Sequence, residues 1–302
     1  MDLTPTAAPP ISPIRYNVPV KKDMAIAFVM FNPVKTVRMI SNYLYTVEKL
    51  RLAGIPYFTM ELLFPDCEPE FHDAIHVKCS SHLFHKERMC RLLEKKIPEE
   101  YTKILFADAD LIFENPNWYS DVSDLLESHQ VVHPFTTCAW LDITYKNIIR
   151  ENKSAVFNTP NTWHQHENHP GFAWAFNREW YRAVGFYEYS VVGSGDCLSI
   201  AAWMNTLLPE EHVSQAICPS YVEYIAKMGV RPKLAAAPGR ILHLWHGTRE
   251  KRQYVNRHNI INHVNDLRTV ITTNEDGCFE LTDRVMSDAM YNYFKDREDD
   301  GI

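Results

Sequence analysis

Apolar positions along the chain fall first into short unbroken runs and then into helical spacing. Met24–Phe31 (MAIAFVMF) is apolar throughout, as a strand covered on both faces requires. Asn32 and Pro33 end it. Val37, Ile40, Leu44 and Val47 then recur every three or four residues until Gly54, which predicts a helix. A second strand is expected over 55–63. Strand, helix and strand in such close succession make a βαβ unit with parallel strands. A shorter strand near 74–79 leads to a helix over 84–97. There Met89, Leu92, Leu93 and Ile97 share one face, while Arg88, Arg91 and Lys95 form a basic ridge. Lys103–Ala107 (KILFA) is another buried strand, ending in Asp108-Ala109-Asp110.

After Asp110 the pattern loosens. A helix is expected over 118–126, a strand over 130–133 and a polar loop over 151–169. The aromatic run 171–176 reads as a strand, 197–205 as a buried helix and 239–245 as a late strand. A last helix over 282–294 carries Val285, Ala289 and Tyr293 at spacing four. No repeat or linker separates independent domains. The expected organisation is an extended arm over 1–23, a core over 24–247 and a helical extension over 248–302 packed on it. Within the core, 24–115 is the nucleotide-type half and 116–247 the mixed half.

Composition narrows the function classes. A chain of 302 residues with 46% hydrophobic and 23% charged residues is an ordinary folded globule. Its net charge of −7 lacks the basic field of a generic nucleic-acid or anionic-membrane binder. Seven scattered cysteines without a C-x-x-C pair argue for reduced thiols and against a cysteine zinc site. The N-terminal stretch has neither a basic start nor an apolar core segment, and no apolar run is long enough to span a bilayer. A soluble, cytoplasmic protein without integral membrane association is expected.

The most informative stretch is KILFADADLIF. Carboxylates at i and i+2 of an extended chain point the same way, so Asp108 and Asp110 can address one ligand. They lie where a strand ends, and open α/β sheets bind ligands beyond the carboxyl ends of their strands. Hard divalent cations such as Mg²⁺ or Mn²⁺ take oxygen donors of this kind together with substrate phosphates. Neither a G-x-x-x-x-G-K-[ST] loop nor a G-x-G-x-x-G turn follows the first strand, which disfavours ATP-driven and nicotinamide chemistry.

ILFADADLIF resembles the D-x-D segment of GT-A-fold glycosyltransferases, and HPGFAWAFNREWYRAVGFYEYSVVGSGD is similar to their acceptor-side segment. GRILHLWHG resembles the late strand that supplies a metal-binding histidine. The three segments come in the family's order over most of 24–247. The resemblance implies a GT-A-like (Rossmann-like) α/β/α sandwich with a mixed sheet. It further implies transfer of a sugar from a nucleoside-diphosphate sugar, a uridine one favoured, with Mn²⁺ or Mg²⁺ as cofactor. Asp108 and Asp110 would hold the metal, with Asp110 bonded to it directly and Asp108 sharing metal and the donor's ribose.

By place in the resembling strand, His243 would be the third ligand. Strand alternation puts His246 on the other face, as a diphosphate or acceptor contact. Asp196 in GSGDCL would be the general base for an acceptor hydroxyl, although the same position suits a helix N-cap. A base opposite the leaving group implies inversion. Phe31, Asn32 and Glu61 stand at strand ends suited to the nucleobase. Arg88, with Lys86 and Arg91, could meet the diphosphate, and Trp174 or Trp163 could stack on a sugar. His164, His166 and His169 form a weak zinc-like pattern in a loop over the acceptor. The resemblance implies a glycan or another hydroxyl-bearing acceptor and leaves open whether it is glycan, lipid, protein or modified DNA. Two rival readings are a sugar nucleotidyltransferase and a non-catalytic carbohydrate binder on a degenerate transferase scaffold.

Overall fold

The computed structural model describes residues 14–157, 168–206 and 214–301. Strand β1 (Met24–Phe31) is followed by α1 (Val37–Leu52), β2 (Tyr57–Leu63) and β3 (Ile75–Lys78). Helix α2 (Lys86–Glu94) returns the chain to β4 (Lys103–Ala107), and β5 (Leu111–Phe113) follows directly after the acidic pair. Next come α3 (Trp118–Leu125), β6 (Val131–His133), β7 (Thr137–Leu141), β8 (Ile148–Ser154) and β9 (Asn168–His169). Strand β10 (Ala173–Asn177) runs into α4 (Arg178–Ala183), and α5 (Gly195–Met204) and α6 (Cys218–Met228) precede β11 (Leu234–Ala236) and β12 (Arg240–His243). The last segment holds the hairpin β13 (Ile271–Thr273) and β14 (Phe279–Leu281), then α7 (Arg284–Asp296).

Seven strands form one mixed sheet in the order β11-β6-β10-β4-β1-β2-β3. The expected βαβ unit is present, since β1 pairs parallel with β2 and with β4. Strand β10 runs antiparallel to β4 and β6, so the sheet is mixed. Alternation along β1 explains its unbroken apolar run. Ala25 and Ala27 face a core built with α2, α5, α6 and α7, whereas Met24, Ile26, Phe28 and Met30 face α1 and α3. Strand β10 divides the same way, with Trp174 and Phe176 on one side and Ala173 and Ala175 on the other. The result is the expected α/β/α sandwich.

A second sheet, β5-β12-β7-β8-β9, stands at the carboxyl end of β4. It replaces part of the polar loop expected over 151–169. Strand β8 reads as loop because its buried side chains are Asn152 and Ser154 while Ile148 and Ile149 are exposed, the reverse of an apolar-inward pattern. Helix α6, strand β7 and the β13–β14 hairpin also went unread. The expected arm is anchored by Tyr16, whose buried ring packs against Phe113 and Trp118 while its hydroxyl accepts from Phe113 N at 3.1 Å. Among the described residues, no helix is long and apolar enough to cross a membrane.

Candidate active site

The acidic pair occupies the turn between β4 of the large sheet and β5 of the small one. Asp108 N donates to Phe172 O at 2.7 Å, and Leu244 N donates to Asp110 O at 2.8 Å, which pins the turn to both sheets. Antiparallel pairing of β5 with β12 sets Leu111 opposite His243. Register alone therefore carries Asp110 to the end of β12.

His243 is the last residue of β12. Because extended geometry stops there, the alternation that would have sent His246 to the far face no longer applies, and the expected split between the two histidines is corrected. His246 Nε2 lies 2.8 Å from Asp110 Oδ2 and 3.0 Å from His243 Nε2, and His243 Nε2 lies 3.6 Å from the same carboxylate oxygen. One ligand atom from each of the three residues falls within 4.8 Å of the others. Bonds of about 2.0–2.2 Å to a shared cation put donor atoms roughly 3 Å apart, so the spacing fits a divalent ion. Asp110 Oδ1 and His243 Nδ1 are buried and have no hydrogen-bond partner among the described residues. A carboxylate with two imidazoles suits a first-row divalent metal.

Burial works to raise the Asp110 pKa, yet His243 and His246 outweigh it and hold the carboxyl below its ordinary range. Burial pushes His243 down to about 3, against the pull of Asp110. The imidazole is thus neutral, the form that binds metal. Behind His246, Arg252 Nη2 donates to the His246 carbonyl at 2.7 Å and to Asp299 Oδ1 at 3.2 Å. Asp300 accepts from Arg38 N at 2.7 Å and Val37 N at 3.1 Å, so the last turns of the chain close over α1.

Asp108 is ion-paired with Lys86 Nζ. Burial disfavours the Lys86 charge, but Asp108 and then Asp196 reverse that effect and raise its pKa. Asp196 lies in the first turn of α5, with Ser194 in the capping position, and its Oδ1 accepts from Cys197 N at 2.8 Å. Gly171 packs against this carboxylate: a Cβ there would overlap Asp196 Oδ2 and stand 3.2 Å from His169 Nε2. His169 Nε2 is buried without a hydrogen-bond partner among the described residues. It joins the site as a member the sequence showed only as part of a weak zinc-like pattern. Trp163, His164 and His166 lie outside the described residues.

The remaining sequence candidates are committed elsewhere. Trp174 is 2% exposed, stacks on His133 at 4.0 Å and donates to Pro170 O, so it supports the floor and offers no face to a sugar. Phe31 packs edge-on against Phe84 and Phe294. Asn32 Oδ1 closes the turn before α1 by accepting from Thr36 N at 2.8 Å. Glu61 accepts from Glu70 N and Phe71 N. Arg88 donates to Gly277 O and Glu188, and Arg91 shares Glu188, so these two arginines of the ridge are engaged within the fold; of the three diphosphate candidates on this helix, Lys86 is the one paired with Asp108 among the described residues.

No family model matches the sequence, and no curated protein matches it. Among solved structures, the chain is similar to the catalytic domain of Drosophila β1,4-galactosyltransferase 7 complexed with xylobiose, at 12% identity and a TM-score of 0.42, covering 88% of this chain and 98% of that one. It is also similar to glucosyl-3-phosphoglycerate synthase from Mycobacterium tuberculosis complexed with Mn²⁺, UDP and phosphoglyceric acid, at 11% identity and a TM-score of 0.37, covering 79% and 76%. A third is mannosyl-3-phosphoglycerate synthase from Rubrobacter xylanophilus, at 11% identity and a TM-score of 0.37, covering 85% and 82%. With TM-scores below 0.5 these likenesses carry no weight, and the chemistry of this chain is read from its own residues.

Proposed function

We propose that this chain is a metal-dependent glycosyltransferase that moves a sugar from a nucleoside-diphosphate sugar, a uridine one favoured, to an acceptor hydroxyl. One observation carries the reading. Asp110, His243 and His246 converge on a single point, with a buried carboxylate oxygen left over, and Asp108, Lys86 and Asp196 share the same electrostatic neighbourhood. A divalent cation held there would act as a Lewis acid, stabilising charge on the departing nucleoside diphosphate.

In this reading the diphosphate role expected of Lys86, Arg88 and Arg91 falls to Lys86, its ammonium being held beside Asp108. Asp196 receives the proton of the acceptor hydroxyl as that oxygen attacks, and His169, close to the same carboxylate across Gly171, orients the hydroxyl. Attack from the side opposite the diphosphate gives inversion. The working unit extends past residue 247, because Arg252, Asp299 and Asp300 close over the metal position and α1. Seven free cysteines support a reducing, cytosol-like setting.

The test is thermal unfolding with Mn²⁺ and UDP. Saturating ligand should raise the melting temperature by roughly 5 °C, the shift expected for concentrations near a hundred times the dissociation constant. Asp110→Asn should abolish the shift. A variant that keeps it would defeat this metal position.

A further inference from the structure

A histidine binds metal through one ring nitrogen, and the partner of the other nitrogen sets its tautomer and its orientation. Nε2 of His246 faces the metal position, 2.8 Å from Asp110 Oδ2 and 3.0 Å from His243 Nε2. The outer nitrogen of His243, Nδ1, has no hydrogen-bond partner among the described residues. That of His246 faces a carboxylate, since Nδ1 lies 3.8 Å from Asp299 Oδ1. Asp299 is 6% exposed and belongs to the turn that follows α7.

Gly247, the residue after His246, lets this carboxylate approach. It has φ +84° and no side chain, and a Cβ there would stand 3.0 Å from Asp299 Oδ1 and 3.1 Å from Asp299 Cα. The next two residues fasten the same turn. Asp300 accepts from Val37 N and Arg38 N, and Gly301 lies against Trp245, where a Cβ would come within 2.6 Å of Cη2. Asp299 also keeps capacity for the imidazole. Its Oδ2 pairs with Arg297 Nη2 at 2.8 Å and its Oδ1 accepts from Arg252 Nη2 at 3.2 Å, which uses two of a carboxylate's roughly four acceptor positions. Arg252 Nη2 touches the His246 ring as well, but its two hydrogens have acceptors in Asp299 and in the His246 carbonyl at 2.7 Å.

A cation bound at this point needs Nε2 bare, and the neutral ring then carries its proton on Nδ1. We propose that Asp299 is the positioning residue for this ligand: it accepts the Nδ1 proton of His246 and so presents Nε2, unprotonated, to the metal position. The inference rests on the proposed metal site and deepens it, because the grip on the cation then depends on the turn after α7.

The experiment has two readouts on the full chain. Mn²⁺ is titrated at saturating UDP and followed by tryptophan fluorescence, since Trp140 and Trp245 flank the histidines. Imidazole protons are followed by NMR as Zn²⁺, a diamagnetic probe of the same donor set, is added. The wild type should gain a downfield imidazole proton with Zn²⁺, the mark of an N–H held by a carboxylate, and Asp299→Asn should move it upfield. Asp299→Asn should also weaken Mn²⁺ binding ten- to about a hundredfold, the usual effect of losing such an outer partner. Because that variant takes the counter-ion from Arg252 and Arg297, Gly247→Ala is the second: it keeps every charge, crowds Asp299 away from His246, and should weaken Mn²⁺ at least about tenfold. A wild type that binds Mn²⁺ but shows no such proton overturns the inference alone. So does a proton that Asp299→Asn leaves unmoved, or Mn²⁺ affinity within twofold of wild type in either folded variant. A wild type that binds no Mn²⁺ with UDP overturns the metal site, and this inference with it.

Discussion

Gly195 allows the Glu87 carboxylate to lie against the start of α5, where a Cβ would overlap it. Burial pushes Glu87 up to about 7, with Lys86 opposing and Asp196 adding to the rise. A carboxyl whose folded pKa lies above its ordinary 4.5 keeps its proton in the native state while the unfolded chain releases it. Its stabilising influence is therefore lost as pH rises from 4.5 through 7. The full difference is on the order of 3 kcal/mol. Glu87→Gln should match the wild type in urea unfolding at pH 4.5 and exceed it at pH 8; equal stability at both would show that the environment does not shift this group. Asp196 calls for a different measurement. Asp196→Asn should reduce transfer by at least about a hundredfold, as removal of a general base does, while Mn²⁺·UDP binding stays intact. Wild-type turnover in that variant would dismiss Asp196 as the base.

Elements meet through single side chains that join their ends. Arg178, 2% exposed at the start of α4, donates to Glu94 Oε1 at 2.6 Å and to the carbonyls of Glu94, Ile97, Pro98 and Tyr101. It thus satisfies the end of α2 and the loop into β4, the strand that delivers the acidic pair. Lysine has neither the planar fork nor the donor count to replace it. Arg178→Gln should destabilise the chain by about 3–5 kcal/mol, the range for removing one partner of a buried ion pair, read as a lower urea midpoint. A loss below about 1 kcal/mol would mean that the helix end is held by other contacts. The stop of β12 at His243 works at the same scale, since one further extended residue pair would have turned His246 away.

At the level of the whole molecule, the segment after residue 247 is part of the core. Ile261, Leu267, Cys278, Phe279, Met286 and Met290 are buried in the same cluster as Met89 and Leu93 of α2 and Leu198 of α5. Phe294 of α7 also closes on Phe31 and Phe84. A chain ending at residue 247 would leave that face of α2 open to water. It should fail to unfold cooperatively on heating, as followed by circular dichroism, and should not bind Mn²⁺·UDP. A truncated chain with a sharp transition would show that the extension is dispensable to the fold.

Much of this was legible in local pattern. The apolar runs of β1 and β4 and the helical spacing of α1 and α2 depend on burial periodicity, which is written residue by residue. The D-A-D turn was readable because carboxylates beside a buried strand stand out. Strand β8 was not, since its inward positions are polar and only its partners β7 and β9 make it a strand. The union of Asp110 with both histidines, and of Arg257 with the Asp196 turn, was beyond any spacing rule. Asp110 is separated from both histidines by more than a hundred positions and Arg257 from Asp196 by 61, and only register across two sheets and a glycine's missing side chain bring them together. The chain by itself determined the strands and helices that carry an apolar face, and where the acids lie. Tertiary pairing decided which of its charges share one site, because that depends on contacts distant in sequence.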